Sequence, residues 1–71
     1  MKGSELLKRI KKLGKIKGIN VEHIQRRGKG SHTTIFYGRC FAVVPQLKDE
    51  LKTGTYKAIL KQLCINEDEL R

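Results

Sequence analysis

Thr33-Thr34-Ile35-Phe36-Tyr37-Gly38-Arg39-Cys40-Phe41-Ala42-Val43-Val44 is two short runs of β-branched and aromatic residues divided by Gly38-Arg39, and its economical reading is a β-hairpin. The first run alternates cleanly from Thr33 to Tyr37. The second runs from Cys40 to Val44 and is stopped by Pro45, which cannot extend a central strand.

Upstream of the hairpin, Gly28-Lys29-Gly30-Ser31-His32 places a histidine at the mouth of a strand, after a basic run loosened by glycine. Two glycines around Lys29 let the backbone approach a phosphate closely. His32 has the side chain whose ordinary pKa lets it exchange a proton near neutral pH. The bland alternative is a simple hairpin turn with a solvated surface histidine. Before this loop, Ile19, Val21 and Ile24 suggest a further strand from Ile19 to about Arg27. Its alternation slips by one between Val21 and Ile24, which predicts a bulge there.

Ser4 followed by Glu5 reads as an N-cap with an acid in the first turn. Leu6, Leu7, Ile10 and Leu13 then recur at helical spacing up to Gly14. This predicts a helix near residues 5–13, with a polar loop from Lys15 to Gly18. The opposite face of the helix carries Lys8, Arg9, Lys11 and Lys12, so it is amphipathic and basic. Downstream, Gln46 to Lys52 is a polar connection anchored by Leu47 and Leu51. Thr53-Gly54-Thr55 offers cap chemistry for a second helix, in which Tyr56, Ile59, Leu60 and Leu63 form one buried face while Lys57 and Lys61 look to solvent. Asn66-Glu67-Asp68-Glu69 has the capping-box form, so Glu67 to Leu70 is expected to be one helical turn docked by Ile65 and Leu70.

The chain of 71 residues is long enough for one domain and one small core. Its longest apolar run, Phe41 to Val44, falls far short of the ~20 residues of a membrane span. With no apolar stretch after the charged start, no signal peptide is expected either, and the expected location is the cytoplasm. Cys40 and Cys64 suit buried, reduced thiols better than a disulfide framework. Together with His23 and His32 they match no zinc-ligand spacing, so no metal is expected. Net charge is +9. Residues 1–29 hold ten Lys or Arg against Glu5 and Glu22, whereas residues 30–71 hold six against five acids. A positive field so one-sided attracts polyanions, first of all nucleic acid, with an acidic membrane surface or an acidic protein as alternatives.

The element order is therefore α-β-β-β-α: an α+β domain with a three-stranded antiparallel sheet covered on one face by two helices. The double-stranded RNA-binding domain has the same order, which does not by itself assign a function. Gly30-Ser31-His32, Val44-Pro45 and Gly54-Thr55-Tyr56-Lys57-Ala58-Ile59-Leu60-Lys61-Gln62-Leu63 are similar to the HicA family, also labelled YcfA-like. These are small bacterial toxins of type II toxin–antitoxin systems. The resemblance runs from Ser4 to Ile65. It implies a fold like the double-stranded RNA-binding domain, a ribosome-independent endoribonuclease acting on messenger RNA, no cofactor, and neutralisation by a HicB-type antitoxin. His32 matches the catalytic histidine of that family. Two departures stand out. A histidine common in the family soon after Val-Pro is replaced here by Gln46-Leu47, and the segment from Gly14 to Gly30 is longer and more basic.

A ribonuclease working without metal needs a base for the 2′-hydroxyl, positive charge around the phosphate, and an acid for the leaving oxygen. His32 supplies the base. Arg27, Lys29 and the backbone N–H groups of Gly30 and Ser31 are the expected electrostatic partners, with Arg39 as an alternative. No acid is identified, because His23 reads as a surface or cross-strand residue. The expected product is a 2′,3′-cyclic phosphate. Lys8, Lys11, Lys12 and Lys15, with Lys57 and Lys61, are the expected RNA-binding cations. The competing expectation is a non-catalytic RNA-binding module of the same fold, and a third is a basic adaptor for an acidic protein.

Overall fold

The computed structural model describes residues 1–25, 32–45 and 47–70. Its elements are α1 (Gly3–Lys17), β1 (Val21–Gln25), β2 (Thr33–Tyr37), β3 (Cys40–Val44), α2 (Thr53–Gln62) and a 3-10 turn (Glu67–Leu70). The three strands form one antiparallel sheet in the order β1-β2-β3, so the order α-β-β-β-α and the α+β class hold. Alternation decides which face is covered. Thr33, Ile35 and Tyr37 of β2, and Ala42 and Val44 of β3, are buried beneath the helices. α1 packs over β1 and β2, while α2 packs over β3.

The core joins these strand residues to Leu6, Leu7, Ile10 and Leu13 of α1 and to Ile59, Leu60 and Leu63 at α2. Leu6, Ile10, Ile35 and Leu63 are fully buried, each worth roughly 1.5–3 kcal/mol of removed apolar surface. Leu47, Leu51 and Tyr56 pack against its margin.

The hairpin lies where its residues predict, with Thr33 opposite Val44 and Tyr37 opposite Cys40. Gly38 has a φ of 60° while Arg39 does not enter that region. This is the pattern of a type II′ turn, whose twist matches the strands it joins.

Four local expectations are corrected. The first helix does not stop at Gly14; it continues through Lys15 to Lys17 and closes at Gly18, whose φ is 69°. Gly18 supplies the left-handed residue, and the Ile19 N–H donates to the Gly14 carbonyl at 2.7 Å, the six-to-one bond of a Schellman closure. Ser4 is not the N-cap but lies inside the helix. Gly3 N–H donates to the Asp49 carbonyl and Ser4 N–H to the Leu47 carbonyl, so main-chain oxygens from the β3–α2 connection do what a cap side chain would do. α2 likewise starts after Lys52 with no side-chain cap, and Tyr56 N–H donates to the Lys52 carbonyl. The predicted bulge in the first strand is absent. Val21 to Gln25 pairs without interruption from Tyr37 to Thr33, and the slip in alternation arises because Ile24 stands on the uncovered face, 55% exposed. Arg26 and Arg27 lie outside the described residues.

The cysteines are corrected as well. Cys40 and Cys64 are joined in a disulfide, with a Cα–Cα distance of 6.4 Å. Cys40 points to the helix side of β3. Cys64 follows α2 with a φ of 60°, which turns the chain back over the strand. The two are 24 positions apart, and only the packing of α2 on β3 brings them together. The final turn follows expectation: Asn66 N–H donates to Glu69 Oε1 at 3.4 Å, and Ile65 and Leu70 are buried.

Candidate nucleic-acid interface

Lys8, Lys11, Lys12 and Lys15 stand at helical spacings of three and four residues, and all are exposed. They form one stripe along α1, on the side away from Leu6, Ile10 and Leu13. Running α1 through Gly14 is what joins Lys15 to this stripe. Arg9 belongs to a different neighbourhood, pairing with Glu5 at 3.2 Å one turn earlier. Lys11, Lys12 and Lys15, with Ile19, Asn20 and Val21, line an open groove of about 520 Å³ between the end of α1 and the start of β1. Three lysines in its lining give the groove the sign of charge that attracts a phosphodiester backbone.

His32 is exposed and directly precedes β2. Thr33, its neighbour, is fully buried, and among the described residues its hydroxyl has no hydrogen-bond partner. The expected partners Arg27, Lys29, Gly30 and Ser31 lie outside the described residues, as does Gln46. Arg39 is exposed, but it sits in the β2–β3 turn at the other end of β2 from His32. Five strand residues span about 17 Å at ~3.4 Å each, so His32 and Arg39 do not serve one phosphate, and the alternative role of Arg39 beside His32 is not supported. The groove beside Lys11, Lys12 and Lys15 is also displaced from His32: it adjoins Val21, which pairs with Tyr37, whereas Thr33 pairs with Gln25 at the far end.

Lys57 and Lys61 are exposed on α2, where they line a separate groove with Leu60, Ile65, Asn66 and Glu67. Glu67 lowers the positive potential there. A cation that sequence reading missed is Lys48. It is exposed in the turn after β3 and lies toward the His32 end of the sheet, because Val44 pairs with Thr33. Only the register of the hairpin reveals this. His23 is exposed on β1 opposite Ile35.

At the end of α1, Lys17 bonds to Glu69 of the final turn. That hydrogen bond raises the Lys17 pKa above its ordinary value and lowers that of Glu69. Lys17 is thereby held by a carboxylate and is a poorer phosphate ligand than its neighbours. Among the described residues no group of three or more His, Cys, Asp or Glu gathers as a metal site, and no helix is long and apolar enough to cross a membrane.

No family model, no curated protein and no solved structure matches the chain.

Proposed function

We propose that the chain binds RNA along the α1 lysine stripe and cleaves it with His32 as general base. In this reading it is a ribosome-independent, metal-independent endoribonuclease of the HicA kind, restrained in the cell by a HicB-type antitoxin. The observation that carries it is the exposed row Lys8, Lys11, Lys12 and Lys15, in a chain whose positive charge is concentrated in residues 1–29. Gly30-Ser31-His32, Val44-Pro45 and the Gly54-to-Leu63 segment add the resemblance. His32 takes the proton from a 2′-hydroxyl, whose oxygen attacks the neighbouring phosphorus. The 5′-oxygen leaves with a proton from solvent or a second acid, and the product carries a 2′,3′-cyclic phosphate.

The displacement of the lysine groove from His32 favours a second reading, an RNA-binding module without catalysis. Incubating the protein with unstructured RNA, with and without EDTA, separates the two. Cleavage that survives chelation and leaves cyclic phosphate ends supports the ribonuclease. A shifted but intact RNA supports the module, and RNA that neither shifts nor breaks removes both.

A further inference from the structure

The face of the sheet turned away from the helices carries Ile24, Phe36, Phe41 and Val43. Ile24, Phe41 and Val43 are about half exposed or more, at 55%, 60% and 48%. Phe36 lies across from Phe41, with ring centroids 6.1 Å apart. This apolar surface does not fade into a polar rim on one side. It ends abruptly at β3, which is an edge strand.

β3 also lacks the usual protection of an edge. Cys40-Phe41-Ala42-Val43-Val44 contains no charge, no internal proline and no bulge, and among the described residues no main-chain hydrogen bond reaches its outer side. Natural proteins guard such edges with lysines, prolines or a covering element, because an open edge templates further pairing. The other edge is guarded: β1 presents Glu22, His23 and Gln25.

The two-residue turn determines which groups of β3 point outward. It makes Tyr37 and Cys40 a hydrogen-bonded pair, so Ile35 with Ala42 and Thr33 with Val44 follow as bonded pairs. Phe41 and Val43 are then the residues whose N–H and C=O face away from β2.

We propose that β3 pairs antiparallel with β3 of a second copy of the chain, across a two-fold axis at Ala42, to make a continuous six-stranded sheet. The register is self-complementary. Phe41 of each copy bonds with Val43 of the other, using all four outward N–H and C=O groups on each strand, and Ala42 meets Ala42 on the axis. The side chains of Phe41 and Val43 meet across the junction on the uncovered face, which joins the two apolar surfaces. The charge distribution permits this contact, since residues 30–71 carry six cations against five acids and the lysine-rich α1 lies over β1 and β2. The guarded β1 edge closes the assembly at two copies. A five-residue edge is a small interface, so the dimer forms in the micromolar range rather than the nanomolar.

Sedimentation velocity of the full chain, free of RNA, tests the proposal across micromolar to near-millimolar concentrations. The wild type should pass from monomer to dimer, and added salt should strengthen the dimer by screening the repulsion of two +9 chains. Val43→Pro removes an outward N–H that the monomer does not use, and Val43→Lys sets a charge in the junction. Each should weaken the dimer by at least about tenfold with little change in thermal melt, and Val43→Lys decides the matter if Val43→Pro does not fold. A wild type that remains monomeric at every concentration overturns the proposal. So does a dimer unaffected by Val43→Lys, or assembly that proceeds beyond two copies.

Discussion

Gly14 of α1 and Val21 of β1 interlock: a Cβ built on Gly14 would stand 2.3 Å from Val21 Cγ2 and 2.8 Å from the Ile19 carbonyl oxygen. Gly14 is therefore there for close approach of helix to strand, and Gly14→Ala should destabilise the domain even though alanine is the better helix former. Overpacking costs about 1–3 kcal/mol, against roughly 1 kcal/mol regained in helix propensity. A melt several degrees lower is expected. An unchanged or raised Tm would show that Val21 and the Ile19 carbonyl yield freely.

The Cys40–Cys64 bond closes a loop with a sequence separation of 24, which in the chain-entropy account is worth about 3 kcal/mol. Protein purified without reductant should show no free thiol by Ellman titration. Reduction, or replacing both cysteines by serine, should lower Tm by more than 10 °C, since 1 kcal/mol shifts a domain of this size by about 4–8 °C. Two titratable thiols in the native, unreduced protein would contradict the pairing.

The Lys17–Glu69 pair gives a pH dependence of known sign. Glu69 titrates below its ordinary 4.5 in the fold, so its contribution is present above that value and is lost as pH falls through the lowered pKa. Lys17 titrates above its ordinary 10.5, so its contribution is full below that value and is lost as pH rises through the raised pKa. Glu69→Gln should lower Tm slightly across the neutral plateau, with the difference from wild type shrinking at both extremes. The effect should be small because the pair is exposed. A constant difference at all pH values would point to lost packing of the final turn instead.

RNA affinity should fall steeply with salt, with a log–log slope of roughly −0.7 for each phosphate neutralised on single strands. Replacing Lys8, Lys11, Lys12 and Lys15 by glutamine should flatten the slope by up to about 3 units. The Lys57→Gln, Lys61→Gln pair should change it less, because Glu67 shares their groove. Equal effects from the two sets would move the interface off α1.

His32→Ala should reduce RNA cleavage by about 10²–10⁴, the range typical of a general acid or base, and should leave binding and melting temperature nearly unchanged. His32 is exposed, so little packing is at stake. Cleavage rate and melt measured on the same preparation decide the point. Activity within tenfold of wild type would remove His32 as the base, whereas a collapsed melt would make it structural.

Elements governed by local pattern were legible in the sequence. The hairpin followed from alternation and a glycine turn, and the buried face of α2 from its helical spacing. Distant groups decided the rest. Gly14 reads locally as a stop, yet Val21 makes it a contact point and Gly18 ends the helix. Ser4 reads as a cap, but the Leu47 and Asp49 carbonyls satisfy the first turn. Ile24 broke the strand pattern because it lies on the uncovered face, where an apolar residue is not dictated by the core. Cys40 and Cys64 were separated by too much chain for spacing to pair them. Of the candidate site, Lys8, Lys11 and Lys12 were readable as one helix face, whereas Lys15 joins them only because α1 continues past Gly14. The separation of His32 from Arg39 and from the α1 groove depends on sheet register, which residue types alone do not specify.

The main-chain caps on α1 couple the start of the sequence to the connection between β3 and α2. Gly3 and Ser4 give their N–H groups to Asp49 and Leu47, and Leu51 N–H returns to the Met1 carbonyl. The first turn of the helix is therefore completed only when the chain past β3 has come home. Opening the segment from Leu47 to Leu51 strips α1 of its acceptors, and fraying of α1 strips that segment of its donors. Local unfolding at either place is thus one event, and a chain with few helix caps of its own gains cooperativity from that closure.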